Sequence, residues 1–196
     1  MLSSRQHLTK RIFDISISIV LLLFAIIPLI LLLVIATLDF RRNGFFVQKR
    51  IGRFGKPFSL YKIRTLTGNE HYDIFDITNN ETKLGHWMRS TKLDELPQLI
   101  NVLIGDMSLV GPRPDIEGYA DQLTGDDRII LSVRPGLTGP ATIKYKNEEQ
   151  LLSQQEDPNK FNNTVIWPDK VAINKNYIRN WSLQKDIYYL YASVVN

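Results

Sequence analysis

Residues 10–42 read KRIFDISISIVLLLFAIIPLILLLVIATLDFRR. From Ile19 to Ala36 every residue is apolar, counting Pro28. That run is about eighteen residues, close to the length a helix needs to cross a bilayer. A cleaved signal peptide would have a shorter apolar core and a small-residue cleavage site after it. Asp39, Phe40, Arg41 and Arg42 follow instead. Basic residues flank both ends: Lys10 and Arg11 before, Arg41, Arg42, Lys49, Arg50 and Arg53 after. Lys and Arg beside a membrane segment favour the cytoplasmic side, so both ends point to one side. Pro28 sits in the middle, where a missing N–H and a ring clash bend a helix. A helix that enters one leaflet and returns satisfies both features. A spanning anchor with a tolerated proline is the other reading.

Outside this run the chain is ordinary. Its 196 residues are enough for one domain with a core, and 44% are apolar and 22% charged. A net charge of +4 is too mild to imply nucleic acid, which calls for a dense basic stripe. Absence of cysteine excludes disulfides and thiolate metal sites. His7, His71 and His86 are scattered, which argues against zinc. The natural division is a membrane helix with basic flanks over 1–42 and a membrane-associated domain over 43–196.

GFFVQKRIGRFGKPFSLYKIRTL (44–66) alternates apolar and basic residues around Gly52 and Gly55, which predicts a hairpin. Its cations, Lys49, Arg50, Arg53, Lys56, Lys62 and Arg64, meet no acid, and suit anionic headgroups or a phosphate substrate. A solvated basic face is the plainer reading. Residues 67–86 are polar and read as a loop or weak helix, and 84–90 as a short amphipathic helix.

TKLDELPQLINVLIGDM (91–107) follows, with Leu93, Leu96, Leu99, Ile100 and Leu103 at helical spacing. Pro97 belongs in a first turn, so a helix is expected to begin near Asp94. Asp94 and Glu95 are then either caps that suit the helix dipole or a working carboxylate pair. GDMSLVGPRPD (105–115) fixes Arg113 between two prolines, a stiff mount for bidentate phosphate binding, or simply a rigid turn. VRPGLTGPA (133–141) repeats the theme with Arg134. No Walker loop is present.

KRIFD (10–14), YKIRTL (61–66), LDELPQLINVLIGDMSLVGPRP (93–114) and VRPGLTG (133–139), in this order, resemble the bacterial sugar transferases, the monotopic phosphoglycosyl transferases, in their minimal catalytic form. The resemblance implies an α+β, mostly α fold: a re-entrant helix kinked at Pro28, then a small helical catalytic domain with a short β-hairpin and amphipathic interface helices. It implies transfer of a sugar-1-phosphate from a UDP-sugar to a polyprenol phosphate, undecaprenyl phosphate, releasing UMP. The site would be the cytoplasmic face of the bacterial inner membrane, among membrane lipids, where surface glycan assembly begins. Asp94 takes the family's nucleophile position and Glu95 its Mg²⁺ ligand. Arg89, Arg113 and Arg134 match basic positions that hold phosphates or uridine, with Lys62 and Arg64 at the membrane edge. Two departures stand out. Ile27 precedes Pro28 where relatives often have serine, and PATIKYKNEEQLL replaces the usual continuation after Gly139.

Residues 147–155 read as a polar helix. NYIRNWSLQKDIYYLYASVV reads as one amphipathic helix, whose aromatics suit either a bilayer interface or a core. Two rival readings are a transferase that releases UDP and a non-catalytic membrane scaffold. The sugar is not specified by the sequence, nor is the oligomeric state, where a homodimer stays open.

Overall fold

The computed structural model describes residues 2–67 and 80–195. The reading of 67–86 as a loop or weak helix falls mostly outside them. The fold is α+β and mostly helical.

Helix α1 (Ser4–Phe40) is 37 residues long and runs through Pro28. Its start is fixed by a capping box: Ser3 accepts from the Gln6 N–H, and the Gln6 side chain accepts from the Ser3 N–H. At about 1.5 Å per residue α1 is roughly 55 Å long, well beyond a bilayer's apolar thickness. One stripe of the helix is buried: Lys10, Asp14 and Ser18, then Leu29, Leu32, Ala36 and Phe40. Leu23, Phe24, Ile27, Leu31, Val34 and Leu38 are among the apolar side chains left exposed.

The KRIFD motif is the docking device of α1. Lys10 donates to the fully buried Asp186 at 2.6 Å. Asp186 also accepts from Tyr177 at 2.6 Å and from the Trp181 indole at 3.0 Å. A buried charge costs several kcal/mol unless paired and hydrogen-bonded, and here both conditions hold. Arg11 donates to the carbonyls of Val102 and Leu103. Asp14 accepts from the Ser108 hydroxyl and the Leu109 N–H. Further along, Leu29, Leu32, Ala36 and Phe40 pack with Ile63 and Met88. One end of α1 is therefore hydrogen-bonded to the rest of the chain and the other is packed against it.

The expected hairpin forms. Strands β1 (Phe45–Ile51) and β2 (Pro57–Ile63) pair antiparallel, with Phe46 opposite Lys62 and Arg50 opposite Phe58. The outer edge of β2 is closed by a side chain: Asn101 accepts from the Tyr61 N–H and donates to the Ser59 carbonyl. Helix α2 (Lys83–Ser90) is capped by Thr82.

The expected helix start near Asp94 is displaced. Leu93–Glu95 form a 3₁₀ turn, and helix α3 (Gln98–Ile104) begins after Pro97. The reason is Lys92, held left-handed at φ 58°, which breaks the helical path just before the acids.

Strands β3 (Ser108–Val110) and β4 (Gly136–Thr138) pair in parallel, so the two proline–glycine motifs meet. Gly136 is needed there, because a Cβ would stand 2.1 Å from the Gly111 nitrogen. Helices α4 (Pro140–Lys144), α5 (Glu148–Ser153) and α6 (Pro158–Phe161) follow. The C-terminal stretch is two helices rather than one: α7 (Trp167–Arg179) and α8 (Leu183–Val195). Trp181, between them, is core, while Tyr188 and Tyr191 on α8 are exposed, so the aromatics divide between the two expected roles.

Candidate active site

Asp94 and Glu95 lie in the 3₁₀ turn and are 4% and 7% exposed. Two solvated acids capping a helix would not be so deeply buried. Three elements meet at them. The Asn101 bonds hold β2 against α3 and so bring Lys62 over the pair. Its Nζ is 3.9 Å from Asp94 Oδ2 and 3.9 Å from Glu95 Oε1. That is an ion pair too long for a direct hydrogen bond, so Lys62 can turn to another anion. From β3, the Pro-Arg-Pro segment brings Arg113 Nη2 to 2.7 Å from Glu95 Oε1.

The two carboxylates differ in environment. Burial pushes Glu95 up, but Arg113 and Lys62 overcome it and hold its pKa at about 2. Burial raises Asp94, and Lys62 only partly offsets this while Glu95 adds to it. Asp94 Oδ1 is buried and accepts no hydrogen bond. One turn on, the Gln98 amide nitrogen is also buried and unpartnered. Unsatisfied buried polar atoms are costly, and a catalytic role or a bound ion or water is among the reasons they persist.

The other expected residues divide. Arg89 stands at the rim, paired with Glu81 at 3.2 Å and with Glu149 of α5, close enough for its charge to act on Asp94. Arg64 is elsewhere, donating to the Asn43 carbonyl and lying over the Phe46 ring. Arg134 is also elsewhere, its Nε bonded to the Gly105 carbonyl at the far end of α3. Arg50 and Asp115 were not singled out as site residues, yet they belong to this group. Burial lowers Arg50 to about 10, with Arg113 adding to the effect. Burial raises Asp115 to about 7 against the pull of Lys170 and Arg50. The signal for Arg50 was its register, which puts it on the hairpin face of Lys62.

Among the described residues no cluster of three or more carboxylates or imidazoles could hold a metal alone. Mg²⁺ does not need one, since it takes one or two carboxylates and completes its shell with substrate oxygens. The all-oxygen donor pair and the unpartnered Asp94 Oδ1 fit that demand.

A buried carboxylate pair backed by lysine and arginine, in a chain with one long apolar helix, is the arrangement of a membrane protein with a site suited to anionic groups. The bacterial sugar transferase family model matches residues 5–196, and the chain belongs to that family of transferases. It is 35% identical over 181 residues to the sugar transferase EpsL of Bacillus subtilis, covering 91% of this chain and 81% of that one. It is 34% identical over 194 residues to the UDP-glucose:undecaprenyl-phosphate glucose-1-phosphate transferase of Klebsiella pneumoniae, covering 94% of this chain and 39% of that one. It is 32% identical over 201 residues to the undecaprenyl-phosphate galactose phosphotransferase of Salmonella typhimurium, covering 93% and 39%. The chain thus spans well under half the length of the last two relatives.

Proposed function

We propose that this protein transfers a sugar-1-phosphate from a UDP-sugar to undecaprenyl phosphate, through a covalent intermediate on Asp94. The observation that carries the proposal is the asymmetry of the pair. Glu95 is locked by Arg113 and strongly acidic, while Asp94 is desolvated and keeps one oxygen free. A desolvated carboxylate is a better nucleophile than a hydrated one, and a covalent step divides one hard transfer into two easier ones.

In the first half-reaction an Asp94 oxygen attacks the sugar-bearing phosphorus. A carboxyl–phosphorus bond forms, the bridging oxygen–phosphorus bond breaks, and its electron pair leaves on UMP. In the second, an oxygen of undecaprenyl phosphate attacks the same phosphorus and Asp94 is released. Lys62 and Arg113 face the charge that develops on the phosphoryl oxygens. Arg89 is placed to take a donor phosphate by giving up Glu149. Glu95 would hold Mg²⁺, which neutralises diphosphate charge when bound. The relatives named for glucose and galactose transfer support the reaction class, and leave the sugar open.

The same reading places the protein on the cytoplasmic face of a bacterial inner membrane, where the product begins a surface glycan. In this reading α1 is re-entrant. One end is hydrogen-bonded to the rest of the chain and the other is packed against it, and its exposed apolar side chains suit a lipid environment.

The test is mass spectrometry of the purified protein with Mg²⁺ and a panel of UDP-sugars, without lipid acceptor. A phospho-sugar adduct on Asp94 with UMP released is expected, and none in Asp94→Asn. UMP formed only after undecaprenyl phosphate is added would show direct transfer and sink the covalent step.

A further inference from the structure

The residues that the active site leaves unexplained are the cations at the other end of α3. Arg11 donates to Val102 and Leu103 carbonyls at 2.5 and 2.7 Å, and Arg134 to Gly105 at 2.7 Å. The point where a Gly105 Cβ would stand is 3.5 Å from Arg11 Nη2 and 3.9 Å from Arg134 Nη2. Arg53 donates to the Ser132 carbonyl at 2.9 Å, and its Nη2 is 3.4 Å from His7 Nε2. Three guanidiniums and an imidazole therefore share one small region.

Capping α3 does not account for them. A helix C-terminus carries about half a negative charge, against three full positive ones. Arg11, Arg53 and Arg134 take part in none of the ion pairs among the described residues. Burial and then Arg134 lower the basicity of Arg53, as expected where positive charge is in excess.

Exposed apolar side chains adjoin these residues along the chain. Leu8 follows His7, Ile12 follows Arg11, Phe54 follows Arg53, and Ile104 precedes Gly105. Their exposures are 61%, 57%, 60% and 59%. Phe54 is held at φ 63°, a conformation that a bulky residue adopts only under constraint, with its ring 4.5 Å from the Arg53 guanidinium. Cations beside outward apolar side chains match a phosphate joined to acyl chains. A free anion would have no use for the apolar side chains.

We propose that Arg11, Arg53 and Arg134, with His7, bind the phosphate of an anionic bilayer phospholipid, while Leu8, Ile12, Phe54 and Ile104 sit at the acyl boundary. This lipid is not the acceptor. Helix α3 separates the cluster from Asp94 by about 10 Å along its axis, too far for transfer. The site instead fixes the depth and tilt of the N-terminal end of α1. The proposal rests on the membrane-bound reading above and on nothing in the chemistry at Asp94.

The experiment is native mass spectrometry of the full chain in neutral detergent, titrated with phosphatidylglycerol, phosphatidylcholine or inorganic phosphate. Wild type should retain phosphatidylglycerol in preference to phosphatidylcholine. The double variant Arg53→Gln, Arg134→Gln should bind it roughly tenfold or more weakly. Phe54→Ser keeps every charge and relieves no buried contact, and should also weaken retention. Equal retention in both variants overturns the site, as does equal retention of the two lipids. Full displacement by inorganic phosphate overturns the assignment to lipid. Vesicle flotation keeps the two levels apart. A chain that fails to float on any vesicle defeats the membrane reading itself. One that floats without preferring anionic lipid defeats only this inference.

Discussion

Asp94 and Glu95 are neighbours in the chain with opposite electrostatic fates, and the pH response of the enzyme follows from that. The pKa of Asp94 lies above its ordinary 3.8, so on acidification it takes a proton while Glu95, at about 2, stays charged. A protonated carboxyl does not attack phosphorus. The burst of UMP should therefore fall on the acid side with a midpoint above 3.8. Asp115, at about 7, titrates nearby, so the profile is best taken also in Asp115→Asn, where the limb should persist. A midpoint at or below 3.8 would show that burial does not raise Asp94 in the working site. At this scale the sequence was only half legible. Adjacency marked the acids, but a cap and a catalytic pair look alike until burial and counter-ions are known. Arg113 was readable because prolines fix it locally. Arg134 sits in a similar local setting, and only tertiary packing sends it to the other end of α3.

At the scale of elements, the active site depends on contacts between short pieces that would not be stable alone. β3 and β4 have three residues each, and their pairing sets the position of Arg113. The contact is close enough that Gly136→Ala drives a methyl group into the Gly111 backbone. That substitution should cost about 2–3 kcal/mol and displace Arg113, lowering both the melting temperature and the rate of adduct formation. A variant that melts lower but forms adduct at the wild-type rate would show that β3–β4 does not position Arg113. The hairpin was legible because period-2 alternation and a glycine turn are local signals. The start of α3 was not, because the left-handed Lys92 shifts the acids into a 3₁₀ turn. The division of α7 from α8 was missed for a similar reason. Trp181 reads as part of an amphipathic stripe, yet it turns inward to Asp186.

For the whole molecule, the central question is the path of α1. The absence of cysteine makes this directly measurable. Single cysteines at Ser4 and Arg42 should be labelled by an impermeant reagent from the same side of membrane vesicles. Labelling from opposite sides would make α1 a spanning anchor. Its apolar length was plain in the sequence, as was the symmetry of its basic flanks. What the sequence could not give was the partner of Lys10. That partner, Asp186, is 176 residues away along the chain. At a ribosomal pace of about 5–20 residues per second, roughly ten to thirty-five seconds separate their synthesis. Helix α1 is thus made long before its buried ammonium has a counter-ion. Final seating of Lys10 and its neighbours on α1 is a late event in the life of the nascent chain, waiting on α8, which carries Asp186.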